Sequence, residues 1–451
     1  MATCCRYRPL VLPVLLAATA LGAAASAGAA PILDPAHISE RQLPNGLHAI
    51  AKQEPGWGLV AVSVFVRSGT LYEPAEAPGV AHLMEHLLFR HSTEPGAESL
   101  AARIEGMGAY FNAATNLDFT SVDAVVSSDS FPALLPLLAQ TVLEAQVVAT
   151  DLDREKRVVT TELEERSSDV EQRLHDLTWS TAFTTHPYGR PVAGTPGNVD
   201  SLTLEAVQAY YHRLYVPSNM AVIVTGDVDA TQALGQIEAA FGHYPAGGGP
   251  AAAPASEPPQ TEVRRKTVED PGTELTLFSI AFHAPSIATP RDVCAMDLIW
   301  TVLGEGPTSV FDRILVGERK LVHGFVLDYI THHDSGLLVA TCSVEPQKAD
   351  AAQDGVVEEV RRLAAAPLPE ADLERAKKLL RNSYAFSNET YRGQVGGLGF
   401  YEMITNYRFA IEYLDRVNAI TPADFQEVAR TYLSGDNYST VVIRHGGGQG
   451  Q

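Results

Sequence analysis

Near the middle of the chain, Tyr244-Pro245-Ala246-Gly247-Gly248-Gly249-Pro250 through Pro259 forms a run almost free of large apolar residues. Pro, Ala and Gly at that density cannot build a core, so the run reads as a linker. A chain of 451 residues also exceeds what one hydrophobic core usually organises. The expected division is a first domain over 30–244, a linker over 245–260 and a second domain over 261–447.

The two halves run in a similar order. In the first, Asn45-Gly46 between apolar residues signals a hairpin; a strand is expected over 59–66, a helix around residue 82 and a strand region over 112–127. Helices over 131–149 and 151–173, a strand over 220–224 and a helix over 230–241 complete it. In the second, a strand over 274–282 precedes a helix over 291–303, a turn over 304–307, helical residues 311–315 and strands near 324–330 and 336–344. Helices over 349–364, 370–406 and 422–433 and a strand over 439–443 follow. Strands joined by turns and interrupted by blocks of helix imply an α+β fold: two related domains, each a mostly antiparallel sheet with helices, arising by internal duplication.

The N-terminus carries Arg6 and Arg8, an apolar run over 10–25 and small residues around 25–29. That is the pattern of a secretory signal over 1–29, and it implies a periplasmic or secreted protein without stable membrane insertion. Cys4 and Cys5 leave with it. Cys294 and Cys342 remain, compatible with one disulfide but excluding a four-cysteine zinc site. The formal net charge of -21 makes nucleic acid and anionic membrane surfaces poor partners.

The chemistry concentrates in His82-Leu83-Met84-Glu85-His86. On a helix, residues i and i+4 share a face, so both imidazoles can address one ion at roughly 2.0–2.1 Å. Glu85 shares that face and is placed to take a proton from a water whose pKa the ion lowers to about 7. This H-x-x-E-H order is that of the inverted zincins. A hydrolytic zinc needs a third protein ligand and an open position. Glu155 and Glu162, seven apart on another helix face, offer one ligand and one carboxylate to orient a histidine.

With these residues the chain resembles the pitrilysin/insulinase-type (M16) zinc metallopeptidases over nearly all of its mature length. In that family a ligating glutamate follows H-x-x-E-H by some seventy-odd residues, in an E-x-x-V-V/I-x-x-E pattern that residues 155–162 reproduce. The resemblance implies one zinc per chain held by His82, His86 and Glu162, with Glu85 as the general base and Glu155 supporting the site. Asn112, Ala113 and Ala114 resemble the edge strand that receives the substrate backbone, a form of β-augmentation. Ser68-Gly69-Thr70-Leu71-Tyr72-Glu73, His186-Pro187-Tyr188-Gly189 and Gly304-Glu305-Gly306-Pro307 are similar to family segments as well.

One departure narrows the expectation. Active members carry an arginine and a tyrosine in a second-domain run, L-R-x-x-x-x-L-x-Y; the matching positions are Val316 and His323, and Arg319 finds Val326 at the tyrosine offset. Such donors stabilise the oxyanion of amide hydrolysis, and losing one typically costs a hundredfold to a thousandfold. The chain therefore resembles the zinc-binding subunit of bacterial two-subunit M16 peptidases. Two such chains would close a clam-shell chamber around peptides or unfolded segments, with a homologous partner supplying the Arg/Tyr pair. The alternatives are a self-sufficient homodimer, with His323 or Tyr329 substituting locally, and a non-catalytic peptide-binding or scaffold subunit.

Overall fold

Eleven strands among the described residues form two sheets. The computed structural model describes residues 31–90, 99–248 and 256–445; the segment read as a signal and residues 249–255 of the linker lie outside them. β1 (Ile38–Gln42), β2 (His48–Gln53), β3 (Leu59–Val66), β4 (Tyr110–Thr115), β5 (Thr120–Ser127) and β6 (Met220–Gly226) make the first sheet, in the order β1-β2-β6-β3-β5-β4. β7 (Arg264–Asp270), β8 (Thr276–His283), β9 (Gly324–Tyr329), β10 (Leu337–Val344) and β11 (Tyr438–His445) make the second, in the order β7-β11-β8-β10-β9. Each sheet has one parallel pair, β2 with β6 and β7 with β11, and is otherwise antiparallel. With β1 set aside, the two sheets have the same order and sense. The duplication expected from element order is thus a duplication of topology, in an α+β fold.

Local chemistry accounts for the strands. The β1–β2 hairpin turns at Asn45-Gly46, where Gly46 takes a φ of 88° that favours glycine. Central strand β3 buries every residue but Leu59, because both of its faces are covered. Val60, Val62, Val64 and Val66 enter the main core of the first half. Ala61 and Phe65 enter a separate cluster with Val395, Leu398 and Met403 from helix Tyr391–Ile404.

The helices expected over 151–173 and 370–406 are each broken. The first ends at Ser168, and Asp169 then accepts hydrogen bonds from the backbone N–H groups of Glu171 and Gln172 to start helix Val170–Ala182. The second ends at Ser387, and Thr390 accepts from Gly393 N to start helix Tyr391–Ile404. A side chain that satisfies an orphan N-terminal donor outweighs continuation of the apolar period. Strand region 112–127 is also divided, into the β4–β5 hairpin closed by Asn116 N to Phe119 O at 2.8 Å. Of residues 311–315, expected to be helical, Phe311 is helical and 312–315 belong to a wider-wound π-helical segment, Asp312–Glu318.

Both helix breaks redirect the chain to the other half. Helix Val170–Ala182 lies on β8 and β11 of the second sheet, with Thr178 Oγ1 2.6 Å from Ser279 Oγ and Leu174 against Val441 and Ile443. Helix Tyr391–Ile404 lies on β3 and β6 of the first. Each half therefore covers its partner's sheet with one helix. From Ile32 onward the chain is one compact unit.

A titratable latch fastens this exchange. His48 on β2 places Nδ1 2.8 Å from Glu402 Oε1 and Nε2 3.2 Å from Glu40 Oε2. Burial lowers the His48 pKa, but the hydrogen bond and charge of Glu402, followed by Glu40, outweigh it, and the net shift is upward from 6.5. A folded-state pKa above the unfolded one stabilises fully below the unfolded value and loses that contribution as pH rises through the folded value. Urea titrations from pH 6 to 9 are expected to show wild type losing more stability than His48→Gln over this range; parallel curves would exclude the latch.

Cys294, on helix Pro290–Gly304, and Cys342, on β10, are buried free thiols, each pushed up to about 12 by burial. Among the described residues no helix is long and apolar enough to cross a membrane.

Candidate metal centre

The H-x-x-E-H segment forms helix Val80–Leu88. Its first residue follows Gly79 in the left-handed region at φ 85°, and glycine offers no side chain to cap the exposed N–H groups. Glu73 reaches forward instead: its Oε1 accepts from Gly79 N and Ala81 N, both at 3.0 Å. A carboxylate there also meets the positive end of the helix dipole. Burial pushes Glu73 up to about 7 despite those bonds. Leu83, Met84 and Leu87 enter the core, which fixes the helix rotation and turns His82, Glu85 and His86 toward helix Ala149–Ser168 and β4.

Helix Ala149–Ser168 explains the second carboxylate set. Leu152, Glu155 and Val159 are its buried positions, and Glu162 continues that stripe one turn on. Glu162 Oε1 lies 3.8 Å from His82 Nε2, and Oε2 lies 3.5 Å from His86 Nε2. His82, His86 and Glu162 form a group whose donor atoms all lie within 4.8 Å of one another, with the two rings centred 4.8 Å apart. A tetrahedral ion with ligands at roughly 2.0–2.1 Å keeps them about 3.3 Å apart. The donor set fits zinc in chemistry, two imidazoles and one carboxylate, and stands somewhat wider than that spacing, so the side chains would close in on an ion; three such ligands leave the fourth tetrahedral position for water.

The electrostatics at His82 and Glu162 suit ligation. Burial, then the neighbouring His86, brings the His82 pKa down to about 4 and keeps its ring neutral. The hydrogen bond to His86 holds Glu162 down at about 2, hence ionised. Burial lowers the pKa of His86, but the Glu162 hydrogen bond and the charges of Glu85, Glu162 and Glu155 outweigh it and the net shift is upward. Glu155 is fully buried with Oε2 3.5 Å from His86 Nδ1, the place of a carboxylate that orients a ligand histidine.

Glu85 stands apart from the ligand group. Thr115 Oγ1 donates to its Oε2 at 2.6 Å. Burial raises the Glu85 pKa above 4.5, with the Thr115 bond acting in the opposite direction. Thr115 ends β4, the outermost strand of the first sheet, so the residue that holds Glu85 continues directly from Asn112, Ala113 and Ala114. A cleft of about 430 Å³ is lined by Glu85, His86, Phe89, Arg90, Asn112 and Ala113 among others. It opens beside the ligand group along the edge of β4 that no other described strand pairs with.

The second-domain positions lie elsewhere. His323 is half exposed, with Nε2 3.8 Å from Glu345, and Val316 packs at the margin of the second core. Arg319 donates to Glu358 at 2.8 Å. Tyr329 is partly buried, and its hydroxyl accepts from Thr331. None of these residues has a hydrogen bond or ion pair to His82, Glu85, His86 or Glu162.

Sequence reasoning missed three residues around the centre. Thr115 closes the edge-strand segment Asn112-Ala113-Ala114-Thr115 without a role of its own, and its link to Glu85 becomes visible only when β4 and the motif helix pack. Glu73 ends the segment Ser68–Glu73, whose sequence assigns it no role. Arg90 lies just past the end of the motif helix at Leu88, and its reach to Glu155 has no signal in the spacing.

Residues 49–196 match the family model described as insulinase (peptidase family M16), and residues 201–380 match the one described as the peptidase M16 inactive domain. An uncharacterized zinc protease of Mycobacterium tuberculosis is 27% identical over 406 residues, covering 90% of this chain and 92% of that one. The mitochondrial-processing peptidase subunit beta of Blastocladiella emersonii is 25% identical over 410 residues, covering 89% and 87%. The fold is similar to the crystal structure of a protease from Helicobacter pylori, with a TM-score of 0.84 at 22% identity, covering 90% of this chain and 99% of that one.

Proposed function

The chain belongs to the M16 peptidase family and carries both of its domain types, and on that premise we propose that it is the zinc-binding subunit of an endopeptidase acting on peptides or unfolded segments. The observation that carries this reading is the convergence of His82, His86 and Glu162 beside a separate carboxylate, Glu85, held by Thr115. A purely structural zinc site has no use for the last pair.

His82, His86 and Glu162 would hold one zinc per chain. Bound there, the ion supplies a Lewis acid and lowers the pKa of a coordinated water to about 7. Glu85 takes the proton released as water attacks the scissile carbonyl and delivers it to the departing amine. The Thr115 hydroxyl occupies one oxygen of Glu85 and fixes its rotamer, leaving the other for the proton. The substrate lies extended along β4, pairing with the backbone of Asn112, Ala113 and Ala114. Glu155 orients His86 through Nδ1.

The oxyanion donors come from a homologous chain bearing the Arg/Tyr pair, in a heterodimer. The reading is supported by Val316 and His323 at the matching positions and by the absence of bonds from His323, Arg319 and Tyr329 to the centre. Domain limits at 30–244 and 261–447 and export through the 1–29 segment to the periplasm or exterior complete the proposal. Metal analysis and peptide cleavage by the purified mature chain, with and without such a partner, test it. One zinc per chain and strong dependence of turnover on the partner are expected. Full turnover by the chain alone would favour the homodimer, and zinc without cleavage in any combination would favour the scaffold.

A further inference from the structure

We infer that Arg90 is a positioning residue of the metal centre, acting on His86 through Glu155; the inference rests on the zinc reading above. The Glu155 side chain is fully buried. Arg90 Nε lies 2.6 Å from its Oε1, and Arg90 Nη2 donates to its Oε2 at 3.3 Å. Oε2 is the same oxygen that faces His86 Nδ1 at 3.5 Å. Among the described residues no other arginine or lysine is paired with this carboxylate.

A buried carboxylate is costly unless a counter-charge and hydrogen bonds satisfy it. Glu155 sits on the apolar stripe of its helix between Leu152 and Val159, so nothing intrinsic to that face favours a charge. Arginine answers with a planar guanidinium that donates one hydrogen bond to Oε2 and sets its charge against Oε1, which has no hydrogen-bond partner among the described residues; contact at both oxygens fixes the plane of the carboxylate as well as its charge. That plane determines whether Oε2 can accept from His86 Nδ1, which in turn directs the Nε2 lone pair toward the ligand group. Arg90 can do this because the motif helix ends at Leu88 and Phe89 turns at φ -98°, ψ -2°, bringing the guanidinium back to helix Ala149–Ser168. The clamp joins the two helices that supply all three candidate ligands.

Zinc affinity, measured by chelator competition on the full mature chain, tests the relay without depending on turnover or on a partner. Arg90→Met is expected to weaken zinc binding roughly tenfold to a hundredfold, the usual effect of losing an outer partner of a ligand histidine. Arg90→Lys, with the charge but not the fork, should fall between Arg90→Met and wild type, and it serves as the readout if the methionine variant fails to fold. In a Glu155→Gln background, either Arg90 substitution should cost almost nothing further. Wild-type affinity in Arg90→Met, or an equal loss with and without Glu155, overturns this inference alone. A wild-type chain that binds no zinc overturns the peptidase reading and the relay with it.

Discussion

Glu85→Gln is expected to keep one zinc per chain and to lower peptide turnover by roughly a thousandfold, within the range for removal of a general acid–base group. Gln matches Glu in shape, and its amide oxygen can still accept the Thr115 hydroxyl, which lies 2.6 Å from the native carboxylate. The His82, His86 and Glu162 donors stay in place because Glu85 is outside their group. What disappears is basicity, at the one carboxylate beside the ligands, among the described residues, that is neither grouped with them nor paired with an arginine. Burial of that carboxylate raises its pKa, which brings it closer to working pH and makes it a better proton carrier. Turnover should be measured with saturating partner and zinc, alongside metal analysis of the same preparation. A variant within tenfold of wild type would move the base elsewhere; a variant without zinc would make Glu85 a ligand.

What the sequence made legible is what local chemistry determines. The Asn45-Gly46 hairpin, the apolar run of β3 and the His82/Glu85/His86 face depend on spacing within one element, and each can be read from a few residues. Glu162 was harder: the stripe 152, 155, 159, 162 shows a shared face, but only the family pattern chose which carboxylate ligates. Relations between elements stayed hidden. Glu73 under the motif helix, Thr115 on Glu85 and Arg90 on Glu155 join segments whose proximity arises from packing. The helix breaks at Asp169 and Thr390 had cap signals, but the apolar period runs through both, so continuation looked equally good. Exchange of the following helices between sheets has no local signature, because a helix with one apolar face can cover either sheet.

Gly399→Ala is expected to destabilise the chain by about 3 kcal/mol, at the upper end of overpacking costs, although alanine is the better helix former by about 1 kcal/mol. Gly399 lies in helix Tyr391–Ile404, where it crosses β3, and a Cβ built there would overlap the Phe65 ring. Phe65 cannot easily retreat, since Phe119 packs edge-on against it with centroids 5.5 Å apart. Gly396 on the same helix has nothing within 4 Å of an added Cβ. Gly396→Ala should therefore stabilise, by up to about 1 kcal/mol. Opposite signs three residues apart separate helix propensity from packing. In the Phe65→Leu background the cost of Gly399→Ala should shrink, and the difference measures the coupling between the two positions. Urea midpoints for the four proteins of that cycle and for Gly396→Ala provide the test; equal effects at Gly396 and Gly399 would exclude close docking of the exchanged helix. Because this helix is the second half's cover for the first sheet, a local clash at Gly399 should shift unfolding of both halves together, including the sheet whose edge lies beside the metal centre.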